Sequence, residues 1–141
     1  MTGLTHATTA AVDSSRYRAI TYWVSTALLA AEMLIGGAWG ILRIPYVREM
    51  MEDLGYPDYF VTLLGVWYML GAVALLAPRF PRLKEWAYAG ATFVYTGAIT
   101  SHLVTGDAPR TLVAPAVFLA LAVASWALRP PSRRLPSVSA P

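Results

Sequence analysis

The stretch STALLAAEMLIGGAWGIL, residues 25–42, decides how the chain is read. Apart from Ser25, Thr26 and Glu32 it is apolar or small, and it extends an apolar run that starts near residue 19. A run of that length suits a helix crossing a bilayer, which takes about 20 residues, with a range of roughly 17–25. Glu32 lies near its middle, where an acidic side chain costs about 2.5–3.5 kcal/mol on insertion scales. Such a group is retained only against partners, so Glu32 is read as facing other helices and not lipid. Its helical neighbours agree with this. Ser25, Leu28, Leu29, Gly36, Trp39, Gly40 and, further on, Arg43 share its side, and Gly36 with Gly40 forms a G-x-x-x-G pair that permits close helix approach.

The rest of the chain extends the same reading. Of its 141 residues 57% are hydrophobic and 13% charged, against about 25% charged in an ordinary soluble domain. Four apolar segments fall at 19–42, 59–77, 86–104 and 111–128. Backbone groups cannot stay unpaired in lipid, so these segments are predicted to be helices. The expected architecture is all-α, a four-transmembrane-helix bundle. Residues 1–18 are small, polar and without periodicity, and are expected to form a disordered tail. Residues 129–141, rich in proline, serine and arginine, are expected to do the same. The first segment is too long for a signal-peptide core, contains Glu32 and lacks an A-x-A site, so it is read as retained.

Charge gives orientation. Arg16, Arg18, Arg79, Arg82, Lys84, Arg129, Arg133 and Arg134 fall on one side, and Arg43, Arg48 and Arg110 on the other. Eight against three predicts both termini in the cytoplasm of a multi-pass protein in a bacterial plasma membrane. The net charge of +3 is thereby explained by topology, and a nucleic-acid partner has no support. On the opposite side, the connection IPYVREMMEDLGYPDY places Tyr46, Val47, Met50 and Leu54 at helical spacing against Arg48, Glu49, Glu52 and Asp53. Pro45 suits a first turn, and Gly55 and Pro57 stop it. This predicts a short amphipathic helix in the outer interface, with Asp58 capping the next span.

The chain has no cysteine, which removes disulfides, thiol redox chemistry, iron–sulfur clusters and covalent haem attachment. A quinone-reducing thiol oxidase of the C-x-x-C type is excluded with them. His6 and His102 cannot pair as haem ligands, and no metal-ligand spacing accompanies either, so no metal site is read. At the depth of Glu32 the second span offers Tyr68 and the third Tyr95. A buried polar layer of Glu32, Tyr68 and Tyr95 is expected, with Thr96 as a fourth candidate. His102 lies roughly 10 Å outward of that layer, nearer Arg43, Asp58 and Asp107. Tyr22, Trp23, Tyr59, Trp86 and Trp126 sit near span ends and read as interfacial anchors. Trp67 is placed deeper, as core or cavity lining. No nucleophile–base pair, phosphate loop or paired carboxylate is present, so nothing points to an enzyme.

The segments YWVSTALLAAEMLIGG, LGYPDYF, LGVWYMLGAVALLAP, LKEWAYAG and SHLVTGD resemble, in wording and order, the DoxX-like family of small four-span bacterial membrane proteins. The resemblance covers residues 22–129. It implies a four-helix membrane bundle and, through the thiosulfate–quinone oxidoreductase that gave the family its name, an association with membrane redox complexes. Glu32, Tyr68, Trp86 and His102 match the family pattern, although relatives carry Lys where this chain has Tyr68. The leading expectation is a non-catalytic membrane subunit or scaffold of a redox or stress-response assembly, holding a quinone-like or other small apolar ligand. Glu32, Tyr68, Tyr95, His102, Trp39 and Arg43 are the residues expected at its binding site or polar core. Expected partners are the bilayer, a membrane redox protein and a second copy of the chain. The alternative is a small-solute or proton-handling transporter titrating at Glu32, against which the absence of a repeated, broken-helix pattern weighs.

Overall fold

The computed structural model describes the backbone of residues 3–135 and the side chains of residues 14–135. The order is α1 (Gly3–Ile41), α2 (Pro45–Asp53), α3 (Asp58–Leu76), α4 (Pro81–Thr105), a 3-10 turn (Pro109–Leu112), α5 (Val113–Ala127) and a second 3-10 turn (Pro131–Arg133). The chain is all-helical over these residues. Three stretches are long and apolar enough to cross a membrane: Ser14–Ile41, Asp58–Leu76 and Pro109–Ala127. At 25 residues α4 reaches about 37 Å. Its threonines, glycines and His102 dilute its hydropathy, so it is not among those three.

Two expectations about the chain ends are corrected. The supposed N-terminal tail is helical from Gly3 onward, because neither proline nor glycine interrupts the chain between there and Gly36, and the long apolar segment propagates its helix backwards. Residues 14–20 of this extension are exposed. At the other end, the supposed C-tail is packed against the helices through Arg134. Arg129 is buried and pairs with Glu85 at 2.6 Å, and Arg133 donates to the Tyr22 hydroxyl and the Leu75 carbonyl, each at 3.3 Å. The arginines bind folded-state groups there, which a sequence read as polar spacer does not reveal. Residues 1–2 and 136–141 lie outside the described residues.

The connection after α1 forms the short helix α2, begun at Pro45 and ended at Gly55, whose φ of 82° suits glycine. Met51 is its buried residue, with Val47, Met50 and Leu54 half-buried. Asp58 does not cap α3. Pro57 holds the cap position, and the Asp58 carboxylate instead meets Arg48 at 3.1 Å and Arg43 at 3.5 Å. Two arginines outcompete two backbone amides for it, and together they tie α2 to the start of α3.

The closest helix approach is between α1 and α3, and it uses a different glycine from the one expected. A Cβ on Gly37 would lie 2.9 Å from the Gly65 carbonyl oxygen, and one on Gly40 2.9 Å from that of Val61. Gly36 faces elsewhere, 3.5 Å from Glu32 Oε1 and the Tyr68 ring by the same measure. The backbone contact therefore runs through Gly37 and Gly40, while Gly36 makes room beside the acid. The core that this contact anchors is Leu29, Met33, Ala72, Leu75, Tyr88, Ala91, Tyr95 and Ala122.

Candidate functional site

Glu32 is half-buried on α1, and its Oε2 accepts a hydrogen bond from the Tyr95 hydroxyl on α4. Tyr68 of α3 packs edge-on against Tyr95, with ring centroids 6.3 Å apart and an interplanar angle of 77°. Phe118 of α5 stacks on the other side of Tyr95 at 5.9 Å. All four long helices thus contribute to one layer. Thr96 does not join it: one residue on from Tyr95 it points outward, and its hydroxyl donates to Thr92 O of its own helix at 2.6 Å.

A cavity of about 730 Å³ opens beside Glu32 between α1, α3 and α5. Its walls include Leu28, Gly36, Trp39, Leu64, Tyr68 and Phe118, and α2 contributes Tyr46, Val47, Met50 and Met51 at one end. Besides backbone, Glu32 supplies its carboxyl group and Tyr46 and Tyr68 their hydroxyls; the other lining side chains are apolar but for the Trp39 indole N–H. A second cavity of about 440 Å³ lies between α3 and α4, lined by Trp67, Leu70, Trp86 and Phe93, and again by Tyr68 and Tyr95. Trp67 lines this surface at 61% exposure and is not core. Tyr68 is common to both cavities, and the Tyr95–Glu32 bond crosses the wall between them.

The remaining candidates lie away from this layer. His102 is buried and its Nδ1 meets Asp107 Oδ2 at 2.6 Å. Gly106 (φ 75°) turns the chain so that Asp107 N–H also bonds the His102 carbonyl at 3.0 Å, and the pair closes the end of α4. The bond from His102 holds the Asp107 carboxyl below its ordinary 3.8. Arg43 is exposed, with Nε donating to Thr62 at 2.8 Å. It serves the α2–α3 junction, whereas Trp39 lines the cavity.

Two polar clusters were not expected. In the first, Thr26 of α1, Ser125 of α5 and Tyr88 of α4 share hydrogen bonds, Thr26 to Ser125 at 2.6 Å and Tyr88 to Ser125 at 2.8 Å. Hydroxyls on three apolar helices carry no sequence sign of meeting. Replacing Ser125 by alanine takes the partner of the buried Tyr88 hydroxyl, while Thr26 still donates to the Tyr22 carbonyl at 2.7 Å, and a loss of about 1–3 kcal/mol is expected in thermal denaturation of the detergent-solubilised protein.

In the second cluster Lys84, 1% exposed, donates from Nζ to the carbonyls of Leu75 at 2.6 Å and Ala74 at 3.0 Å. Together with Arg133, which also reaches the Leu75 carbonyl, it satisfies the C-terminal end of α3. Beside it Glu85 receives Arg129 and, from the Trp126 indole N–H, a bond of 2.9 Å. Tyr22, 1% exposed, is core here and not an interfacial anchor. Lys84 precedes the apolar part of α4. Burial first, then the charges of Arg133 and Arg129, pull its pKa from 10.5 to about 8. Between those values the unfolded chain holds a proton that the folded one has lost, so stability rises as pH rises from about 8 to 10.5. Midpoints recorded across that window in the wild type and in Lys84→Met should differ by this contribution, the variant's rising less steeply with pH.

The DoxX-like family pattern matches residues 24–125, from the first turns of the apolar part of α1 to Ser125. The chain belongs to the DoxX-like family. An uncharacterized protein of Bacillus subtilis (strain 168), YdgD, is 35% identical over 77 residues, covering 53% of this chain and 67% of that one. No solved structure matches the chain. With its apolar helices, family membership makes this a membrane protein. Glu32, Tyr68, Tyr95 and both cavities fall inside the matched region.

Proposed function

We propose that this DoxX-like protein is a non-catalytic membrane subunit that holds a small, largely apolar ligand bearing one polar group, and docks with a redox or stress-response assembly. The observation that carries the ligand reading is the cavity of about 730 Å³, apolar on nearly every wall and bordered by one carboxyl group. Sites for small molecules have this form: apolar surface for affinity and a few polar groups for orientation. In this reading α4 is the fourth span, since its length suffices and Trp86, Phe93, Leu103 and Val104 are exposed along it. The bias of arginine and lysine supports a plasma-membrane protein with both termini cytoplasmic.

A quinone-like compound is the neutral case to test. The purified protein in mild detergent is titrated with decyl-benzoquinone while tryptophan fluorescence is followed, and its lipid extract is analysed for quinone. Saturable quenching that Val117→Trp blocks by filling the cavity is the expected result. If neither decyl-benzoquinone nor a charged probe of the cavity binds saturably and no ligand co-purifies, the reading falls. For the redox assembly, deleting the gene should lower a quinone-linked membrane activity that the restored chain recovers.

A second reading, a proton- or solute-handling transporter, draws on one observation: the Tyr95–Glu32 bond crosses the wall between two cavities. Proton flux into liposomes, abolished by Glu32→Gln with the fold intact, would establish it.

A further inference from the structure

The cavity beside Glu32 has one acidic side chain on its walls and no basic one. Oε2 of the carboxyl is engaged by Tyr95, while Oε1 lies on the side of Gly36, and both residues line the cavity. None of the lining residues is Lys, Arg or His. The described basic side chains that come nearest in sequence or layer are committed elsewhere. Arg43 is held by Thr62 and Asp58 at the α2 junction, Lys84 by the end of α3, and Arg129 by Glu85. Glu32 makes no ion pair among the described residues. The cavity is also lined by the rings of Tyr68 and Phe118 in the layer of Glu32, of Trp39 further along α1 and of Tyr46 at the α2 end, and the faces of such rings attract cations.

We propose that the occupant of this cavity is a lipophilic organic cation, its charge matched by Glu32 Oε1 and its body enclosed by the surrounding rings. The inference rests on the cavity being a ligand site and narrows the ligand from an apolar molecule with any polar group to a cationic one. An anion meets the carboxylate unfavourably. Against an ionised Glu32, a carbonyl-bearing neutral ligand offers only acceptors to an acceptor. A quaternary or protonated nitrogen, or a comparable onium centre, uses the carboxylate and the aromatic faces together, in a medium where charge interactions are stronger than in water.

The probes are tetraphenylphosphonium and tetraphenylborate, alike in size and shape and opposite in charge. Equilibrium dialysis of the full chain in a neutral detergent should give saturable binding of the phosphonium at one per chain and none of the borate. Glu32→Gln, shown to be folded by its gel-filtration profile and melting midpoint, should weaken it by about tenfold or more. Leu121→Trp keeps the acid but fills the cavity, and should also abolish binding. Equal affinity in wild type and Glu32→Gln, or saturable borate binding, overturns the cationic class. Saturable binding of decyl-benzoquinone with none of the phosphonium overturns it too, but leaves the ligand cavity standing. No saturable binding of the phosphonium, the borate or decyl-benzoquinone overturns both.

Discussion

Leucine in place of Gly65 is expected to leave no folded protein. A Cβ there would sit 2.8 Å from the Gly37 carbonyl oxygen and 2.8 Å from the Ile41 amide nitrogen. Both are backbone atoms inside a helix, so neither can swing aside as a side chain would. The two helices would have to separate along their tightest contact. The site would go with them, since that contact brings Tyr68 against Gly36 and Glu32. The cost should reach or exceed the upper end of the ~1–3 kcal/mol typical of an overpacked core. Even Gly65→Ala should be measurably destabilising. Gly90 and Gly97 provide the control: a Cβ at either meets nothing within 4 Å, so alanine there should move stability by no more than about 1 kcal/mol. Gel filtration in detergent and thermal midpoints separate the cases. A monodisperse Gly65→Leu protein with an unchanged midpoint would mean that α1 and α3 do not meet in this way.

That contact also shows how far the sequence could be read. The G-x-x-x-G spacing of Gly36 and Gly40 correctly places small residues on the inner side of α1. Yet Gly37 is only one residue from Gly36, and a single helix does not say which of them points at a partner whose position is unknown. Helical rise put Tyr68 and Tyr95 at the depth of Glu32, because depth depends on chain length alone. Rotation about the axis is harder. Thr96 stands at the same depth as Tyr95 but about 100° around the helix, and its hydroxyl finds its own backbone. The long-range hydroxyl cluster of Thr26, Tyr88 and Ser125 was invisible for a related reason: it depends on which helix neighbours which.

Charged residues pose a different difficulty. Lys84, Arg129 and Arg133 count towards membrane orientation, which considers side and ignores structure. In the fold they also close the end of α3 and bind the segment after α5 to Glu85 and Tyr22. The two uses are compatible, because a lysine near a helix end can serve an orphan carbonyl and still bias topology. Composition sees only the second. The same limitation hides Tyr22, whose place near a span end suits an anchor but which is buried, with Arg133 on its hydroxyl.

Tyr95→Phe is expected to destabilise the protein by about 1–3 kcal/mol, the cost of leaving a partly buried polar group without its partner. The change removes one oxygen and leaves ring packing against Tyr68 and Phe118 intact, so the loss reports the hydrogen bond to Glu32. Glu32→Leu should cost a similar amount, since it strands the Tyr95 hydroxyl, although it also removes an acid that is expensive at that depth. The double variant carries neither stranded group and should be more stable than the sum of the single losses by about 0.5–3 kcal/mol. Strictly additive losses would mean that the bond contributes nothing to the fold. Glu32→Gln then separates structure from recognition. Its amide oxygen can still accept from Tyr95, so the midpoint should fall by less than about 1 kcal/mol in equivalent stability. Its charge is gone, however, and with it the match to a cation at Oε1. A folded Glu32→Gln protein that has lost cation binding would show that the acid is kept in the apolar run for what it binds, beyond the tyrosine it holds.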